Sequence, residues 1–484
     1  MGSAIIRRRP MPDGVAVSGG GRPPGSSRLA RIRWSGSGAW RKRTAALVAV
    51  SAMAAAMLSA HPASATTVPG DQPWPGYTID NPPLAPLQTP SGPTTVLQGV
   101  HDHAGYDIEV PPHWNGELVL WAHPFESTAP VLATDTPEFG LRQLFVDEGF
   151  AWAASTFADT GFAVGSGVET THDLALWAAQ LLHRQPSRRY LVGISMGGQV
   201  VARSLEQYPK FYSAAMPMCG SLGDDTLFDY IADVNLTAQA LSGIRAYPTP
   251  ADYQTAVVPA IVAKLGLTAS GPQTAAGQQF ESIVAQRSGG PRPGMNEAFN
   301  FWVPNGLFQL DLADDGGPLT TNFMRLAQNV LTHYTPDTPI DINRIVQRIV
   351  PQDLATRLDP GLTPIPRVSG NPQVPVLSLH GIGDLLVPLS QEQAYAREVA
   401  AHGESNLLVQ RVIREADHCE YSTGETAQGW HDLVNWVRSG SKPGGDDVLD
   451  PHAVASPIFG CRYTDPTAYG DPDYRTRSLY PRCP

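Results

Sequence analysis

The chain has 484 residues, 42% of them hydrophobic and 8% aromatic, with 46 glycines and 45 prolines, enough apolar content for a sizeable core and many loops. Collagen and coiled-coil patterns are excluded, and no period repeats along the chain. The formal charge is −11. Residues 1 to 65 hold ten of the 34 basic residues and one of the 45 acidic ones, so residues 66 to 484 carry 24 against 44, a charge of about −20. Such a surface repels phosphate backbones and anionic membranes, so nucleic acid is not expected as a partner.

The start reads as a signal peptide over residues 1–65. Arg7 to Arg9 and a basic stretch ending at Arg41-Lys42-Arg43 precede the apolar run from Thr44 to Ala60 and the small-residue site Ala63-Ser64-Ala65. A stable membrane anchor is the less favoured reading of that run, and the expected location is extracellular. Residues 66–95, rich in Pro, Gly and Thr, cannot sustain a helix or a central strand and are expected to form an extended arm.

Beyond the arm, YDIEVPP and ELVLWAH read as strands separated by the turn at Trp114-Asn115-Gly116. The pattern then alternates. GLRQLFVDEG is helical, FAWAAST a strand, THDLALWAAQLLHRQ a helix, RRYLVGIS a strand, GGQVVARSLEQYP a helix and YSAAMPMCG a strand. Strands separated by helices imply a mostly parallel sheet covered on both faces, a three-layer α/β architecture. Over 221–372 the alternation stops, and helical insertion segments are expected at ADYQTAVVPAIVAKLG, QTAAGQQFESIVAQR, NFMRLAQNVLTHY and INRIVQRIV. The sheet resumes with VPVLSLHG, a helix, the strand NLLVQRVI and a last helix, which makes 96–220 and 373–439 the core. Residues 440–484 read as a tail that only a disulfide would hold.

The strongest chemical signal is Gly193-Ile194-Ser195-Met196-Gly197-Gly198, between an apolar strand and a helix. A serine on so tight a turn needs neighbours without side chains, and the turn aims the Met196 N–H toward a developing oxyanion. A serine hydroxyl needs a base in reach and a third group to orient that base. Asp384, in His380-Gly381-Ile382-Gly383-Asp384, and His418, in Asp417-His418-Cys419, each follow a strand and supply both roles. Asp224 and Asp225 are the alternative acids.

Through GISMGG, HGIGDLLVP and DHC, residues from about Tyr106 to Arg438 resemble the α/β-hydrolases. The resemblance implies an eight-stranded, mostly parallel sheet, an acyl-enzyme mechanism on Ser195, Asp384 and His418, and a helical lid in the long interval between Ser195 and Asp384. Where that family usually has His-Gly after the second core strand, this chain has His123-Pro124-Phe125. By analogy the Phe125 backbone N–H is the second oxyanion donor. His418-Cys419 resembles secreted tannases and feruloyl esterases, although Ile194 stands where their serine-side cysteine would be.

The four cysteines, Cys219, Cys419, Cys461 and Cys483, are even in number and allow three pairings. Cys219 with Cys419 and Cys461 with Cys483 are expected, because the first two each follow a core strand near the candidate site and the last two share the tail. His101-Asp102-His103 reads as a solvated face of an edge strand ahead of a metal site. Phe299, Phe301, Trp302 and Phe308 read as insertion core ahead of a substrate pocket. The expected function is cleavage of a small or polymeric carboxylic ester by a monomer without metal or cofactor. A compact aminopeptidase-like enzyme and a non-catalytic binding protein on the same scaffold are the alternatives.

Overall fold

The computed structural model describes residues 70–483; the candidate signal peptide lies outside the described residues. Eight strands form the main sheet: β1 Thr95–His101, β2 Ala104–Val110, β3 Glu117–Ala122, β4 Ala151–Ser155, β5 Arg188–Ile194, β6 Ala214–Met218, β7 Val376–Gly381 and β8 Leu408–Ile413. Their spatial order is β8-β7-β6-β5-β3-β4-β2-β1. Strands β3 to β8 run parallel, while β2 is antiparallel to both its neighbours.

The central strands are apolar on both faces because both are covered. Leu118 and Leu120 of β3 face a core shared with helices α2 Val164–Leu181 and α3 Met196–Gln207. Val119 and Trp121 face the other core, beneath α1 Leu141–Asp147 and the last long helix, α9 Thr423–Ser439. Between β6 and β7 lie α4 Asp225–Ser242, α5 Val258–Leu265, α6 Ala275–Arg287 and α7 Met295–Asn305; α8 Ser390–Ala401 comes after β7. Phe299, Trp302 and Phe308 of this intervening stretch are buried in the same apolar cluster as Leu118.

Four departures from the sequence-based expectation have physical causes. Helix α4 was not expected: Asp229, Asp233, Asn235 and Thr237 are buried along it together with its apolar residues, so it carries no amphipathic stripe. The helices expected over 322–334 and 342–350 shrink to Phe323–Leu326 and Ile342–Ile345. Asn329 replaces the helical bonding there, accepting the Ile349 N–H at 2.7 Å and donating to the Gln347 carbonyl at 2.9 Å. In the arm, Thr78–Asp80 pairs with Val131–Ala133, and Asn81 reaches Asp107 at 3.0 Å.

The tail is held by more than a disulfide. Arg477, fully buried, makes a two-pronged pair with Glu425 of α9 at 2.6 and 2.7 Å. Arg414, after β8, donates to the carbonyls of Phe459 and Pro481. Sequence patterns do not reveal these contacts, because neither partner lies near the other in the chain.

Candidate active site

Ser195 joins β5 to α3 with a positive φ of 54° and a ψ of −122°. Its neighbours leave no room for side chains. A Cβ on Gly193 would lie 2.6 Å from the Gly197 carbonyl oxygen, and one on Gly197 would lie 2.1 Å from that of Ala122. The same close approach sets the first turn of α3 against the loop after β3. Met196, the first residue of the helix, has no carbonyl one turn back for its N–H.

Two other loops close on this serine. His418 Nε2 lies 2.8 Å from Ser195 Oγ, and its Nδ1 lies 2.6 Å from Asp384 Oδ2. Asp384 is fully buried, and its other oxygen accepts the N–H groups of Leu386 and Val387 at 2.9 and 3.0 Å. A carboxyl group so held is fixed in orientation toward the imidazole and selects which ring nitrogen carries the proton. Asp224 is elsewhere: it caps α4 and accepts the Val368 N–H at 2.7 Å. The geometry therefore brings Asp384, and not Asp224, to the histidine.

A strand-to-helix turn bearing the serine, an acid after β7, a histidine after β8, and the strand order β1-β2-β4-β3-β5-β6-β7-β8 now stand together. This is the α/β-hydrolase fold.

No family model matches the chain. It is 31% identical over 100 residues to o-phthalyl amidase of Xanthobacter agilis, a match that spans 20% of this chain and 22% of that one. Candida antarctica lipase A in its closed state aligns over 80% of this chain and 85% of its own, at 13% identity and a TM-score of 0.40. An esterase from Aspergillus oryzae aligns over 73% and 82%, at 13% identity and 0.39. Similarity at that level carries no argument about fold or substrate.

Within this α/β-hydrolase fold the loop after β3 carries His123, Phe125 and Glu126. His123 is buried, stacked on Phe157 at 3.8 Å, with Nδ1 2.7 Å from the Pro124 carbonyl oxygen. Burial pushes its pKa down and keeps it neutral. Phe125 sets its ring edge against Phe323 at 6.2 Å, which ties this loop to the stretch between β6 and β7. Glu126 is next, its pKa pushed by burial to about 7.

Cys219, directly after β6, is bonded to Cys419, directly after His418; Cys461 is bonded to Cys483. The sulfurs of the first bridge lie within 4.8 Å of a His418 ring nitrogen, so the bridge abuts the imidazole. The His101-Asp102-His103 run is engaged in packing: His101 stacks on Trp177 at 4.2 Å, and His103 Nδ1 lies 2.8 Å from the Gln72 carbonyl oxygen. Asp102 and His103 line a cleft of about 730 Å³ with Trp74, Tyr77 and Asp173, which contains none of Ser195, Asp384 or His418.

Several residues around the site carry no sequence signal. Glu415, buried beside the histidine loop, has no hydrogen-bond partner for either carboxyl oxygen among the described residues, and burial raises its pKa well above the usual carboxyl range. Arg292 donates from Nε to the Ile382 carbonyl at 2.6 Å. Thr476 Oγ1 accepts the Ala416 N–H at 2.8 Å. No local motif marks these positions, and Arg292 and Thr476 act through the backbone of a distant loop.

Proposed function

We propose that this protein is an exported serine hydrolase that cleaves carboxylic esters through an acyl-enzyme intermediate. The observation that carries the reading is the continuous hydrogen-bonded series from Asp384 through His418 to Ser195. As Ser195 Oγ attacks the ester carbonyl carbon, its proton passes to His418 Nε2, and Asp384 stabilises the imidazolium. The negative oxygen of the tetrahedral intermediate accepts the N–H groups of Met196 and Phe125. The imidazolium then protonates the departing alcohol, and a water activated by the same histidine releases the acid. Neither half-reaction calls for a metal or an organic cofactor.

Export is supported by the order of basic, apolar and small residues at the start and by two disulfides. Among the described residues no helix is long and apolar enough to cross a membrane. A second reading, amide cleavage, is supported by the partial match to an amidase, and the chemistry would be the same with an amine leaving.

Labelling with a fluorophosphonate probe tests the assignment. Adduct on Ser195, located by mass spectrometry and absent from Ser195→Ala, supports it, and relative rates on p-nitrophenyl esters and anilides then separate the two readings. A folded protein that takes no adduct, or a Ser195→Ala variant that hydrolyses esters at an unchanged rate, would sink it.

A further inference from the structure

Two peptide carbonyls flank the acid and the histidine, and both face one side chain. Gly383 immediately precedes Asp384, and Ala416 stands two residues before His418. Trp302 of α7, 2% exposed, sets its indole nitrogen 3.0 Å from the Gly383 carbonyl oxygen and 2.6 Å from that of Ala416. An indole has one N–H and accepts nothing, so a single proton is shared between the two loops.

The packing around this contact is tight. A Cβ on Gly383 would lie 2.9 Å from Ala298 Cβ and 3.0 Å from Ala416 Cα, so α7 and the histidine loop close directly on the residue before the acid. The Gly383 N–H donates to the Glu415 carbonyl at 2.9 Å, and the Tyr480 hydroxyl donates to the same oxygen at 3.2 Å. These bonds hold Gly383 against the histidine loop, and Trp302 contacts a carbonyl of each.

We propose that Trp302 is a positioning residue: its shared N–H fixes the spacing of the Asp384 and His418 loops, so the stretch between β6 and β7 sets the geometry of the acid–base pair. This rests on the reading of Ser195 as a nucleophile served by that pair. Without the N–H, two buried carbonyls lose their common donor and the loops are free to part. His418 then gains less from Asp384, and its imidazolium is less stabilised. That loss is felt in the transition state more than in substrate binding, so kcat changes and KM does not.

The test compares Trp302→Phe with Phe299→Leu, a control at a fully buried aromatic of the same helix that packs on Phe280. Readouts are kcat and KM on a p-nitrophenyl ester, the acid limb of kcat/KM against pH, the melting temperature, and the low-field proton resonance of the His418 Nδ1–H bonded to Asp384. Trp302→Phe is expected to lose about ten- to a hundredfold in kcat, the scale of a small misplacement at a reacting centre. KM should stay unchanged, the acid limb should move to lower pH and the resonance should move upfield. Phe299→Leu should lower the melting temperature and leave limb and resonance in place.

Wild-type kcat, limb and resonance in Trp302→Phe would overturn the proposal, as would equal changes in both variants, which would assign the effect to the packing of α7. Should Trp302→Phe not be recovered folded, benzothienylalanine at position 302 keeps the ring volume without the N–H, and the same readouts decide. If the wild-type protein hydrolyses nothing, the resonance still reports on the pair: an upfield shift supports the positioning role while the function above fails, and no shift overturns the role itself.

Discussion

At the scale of single residues, hydrogen-bond partners distinguish two carboxyl groups that are equally buried. Asp384 accepts two backbone N–H groups and faces His418, whereas Glu415, three residues before that histidine, has no partner for either carboxyl oxygen among the described residues. Its pKa is raised well above its unfolded value, so the folded state holds a proton that the unfolded chain releases. Stability from such a group is complete below the unfolded pKa and is lost as pH rises toward the folded one. Glu126 and Asp224, each raised to about 7, contribute in the same sense. The protein should therefore melt at a lower temperature at pH 8 than at pH 5, and Glu415→Gln should flatten that decline. A steeper decline in the variant would contradict it. Asp384→Asn should cost about 10⁴-fold in kcat while leaving the melting temperature nearly unchanged, because it removes the charge that fixes the His418 tautomer; steady-state kinetics on an ester measures this.

Secondary elements owe their positions to polar contacts as much as to apolar ones. Helix α4 is joined to the turn at Leu354–Leu358 by Arg357, which meets both oxygens of Asp229 at 2.8 Å. The tail is joined to α9 by Arg477 and Glu425. Removing one member of such a buried pair leaves the other charge without compensation. Arg477→Met should destabilise the protein by about 3–5 kcal/mol in urea unfolding. Opening the Cys461–Cys483 bridge by serine substitution should cost about 3 kcal/mol by loop entropy. A tail held by its disulfide alone would show the reverse ranking. Thr476 and Tyr480, which touch the residues before His418, make loss of the proposed hydrolase activity the accompanying sign of tail release.

For the whole molecule, the bridge from Cys219 to Cys419 closes a loop of 200 residues between the strand after the serine helix and the histidine loop. Chain entropy alone makes that closure worth about 5 kcal/mol. The double variant Cys219→Ser with Cys419→Ser should melt several degrees lower, and its kcat should fall further than occupancy of the folded state explains, because Cys419 adjoins His418. Full kcat in the folded double variant would confine the bridge to a structural role.

The alternation of strands and helices, the glycines flanking Ser195, and the order of serine, aspartate and histidine were legible in the chain, because each is a local requirement: a period of burial, a turn without room for Cβ, a loop at the end of a strand. The choice of Asp384 over Asp224 was legible only as a preference; in the fold Asp384 meets His418, while Asp224 accepts the Val368 N–H. Helix α4, the shortened segments near Asn329, the buried arginines and the contact of Trp302 with two loops were not legible. Their causes are partners between 18 and 128 residues away in sequence, or burial on every side, and neither leaves a periodic trace. The sequence determined which groups stand at the ends of strands; tertiary packing alone decided which of them meet, because a hydrogen bond between distant loops depends on the elements that carry them and on no property of either residue by itself.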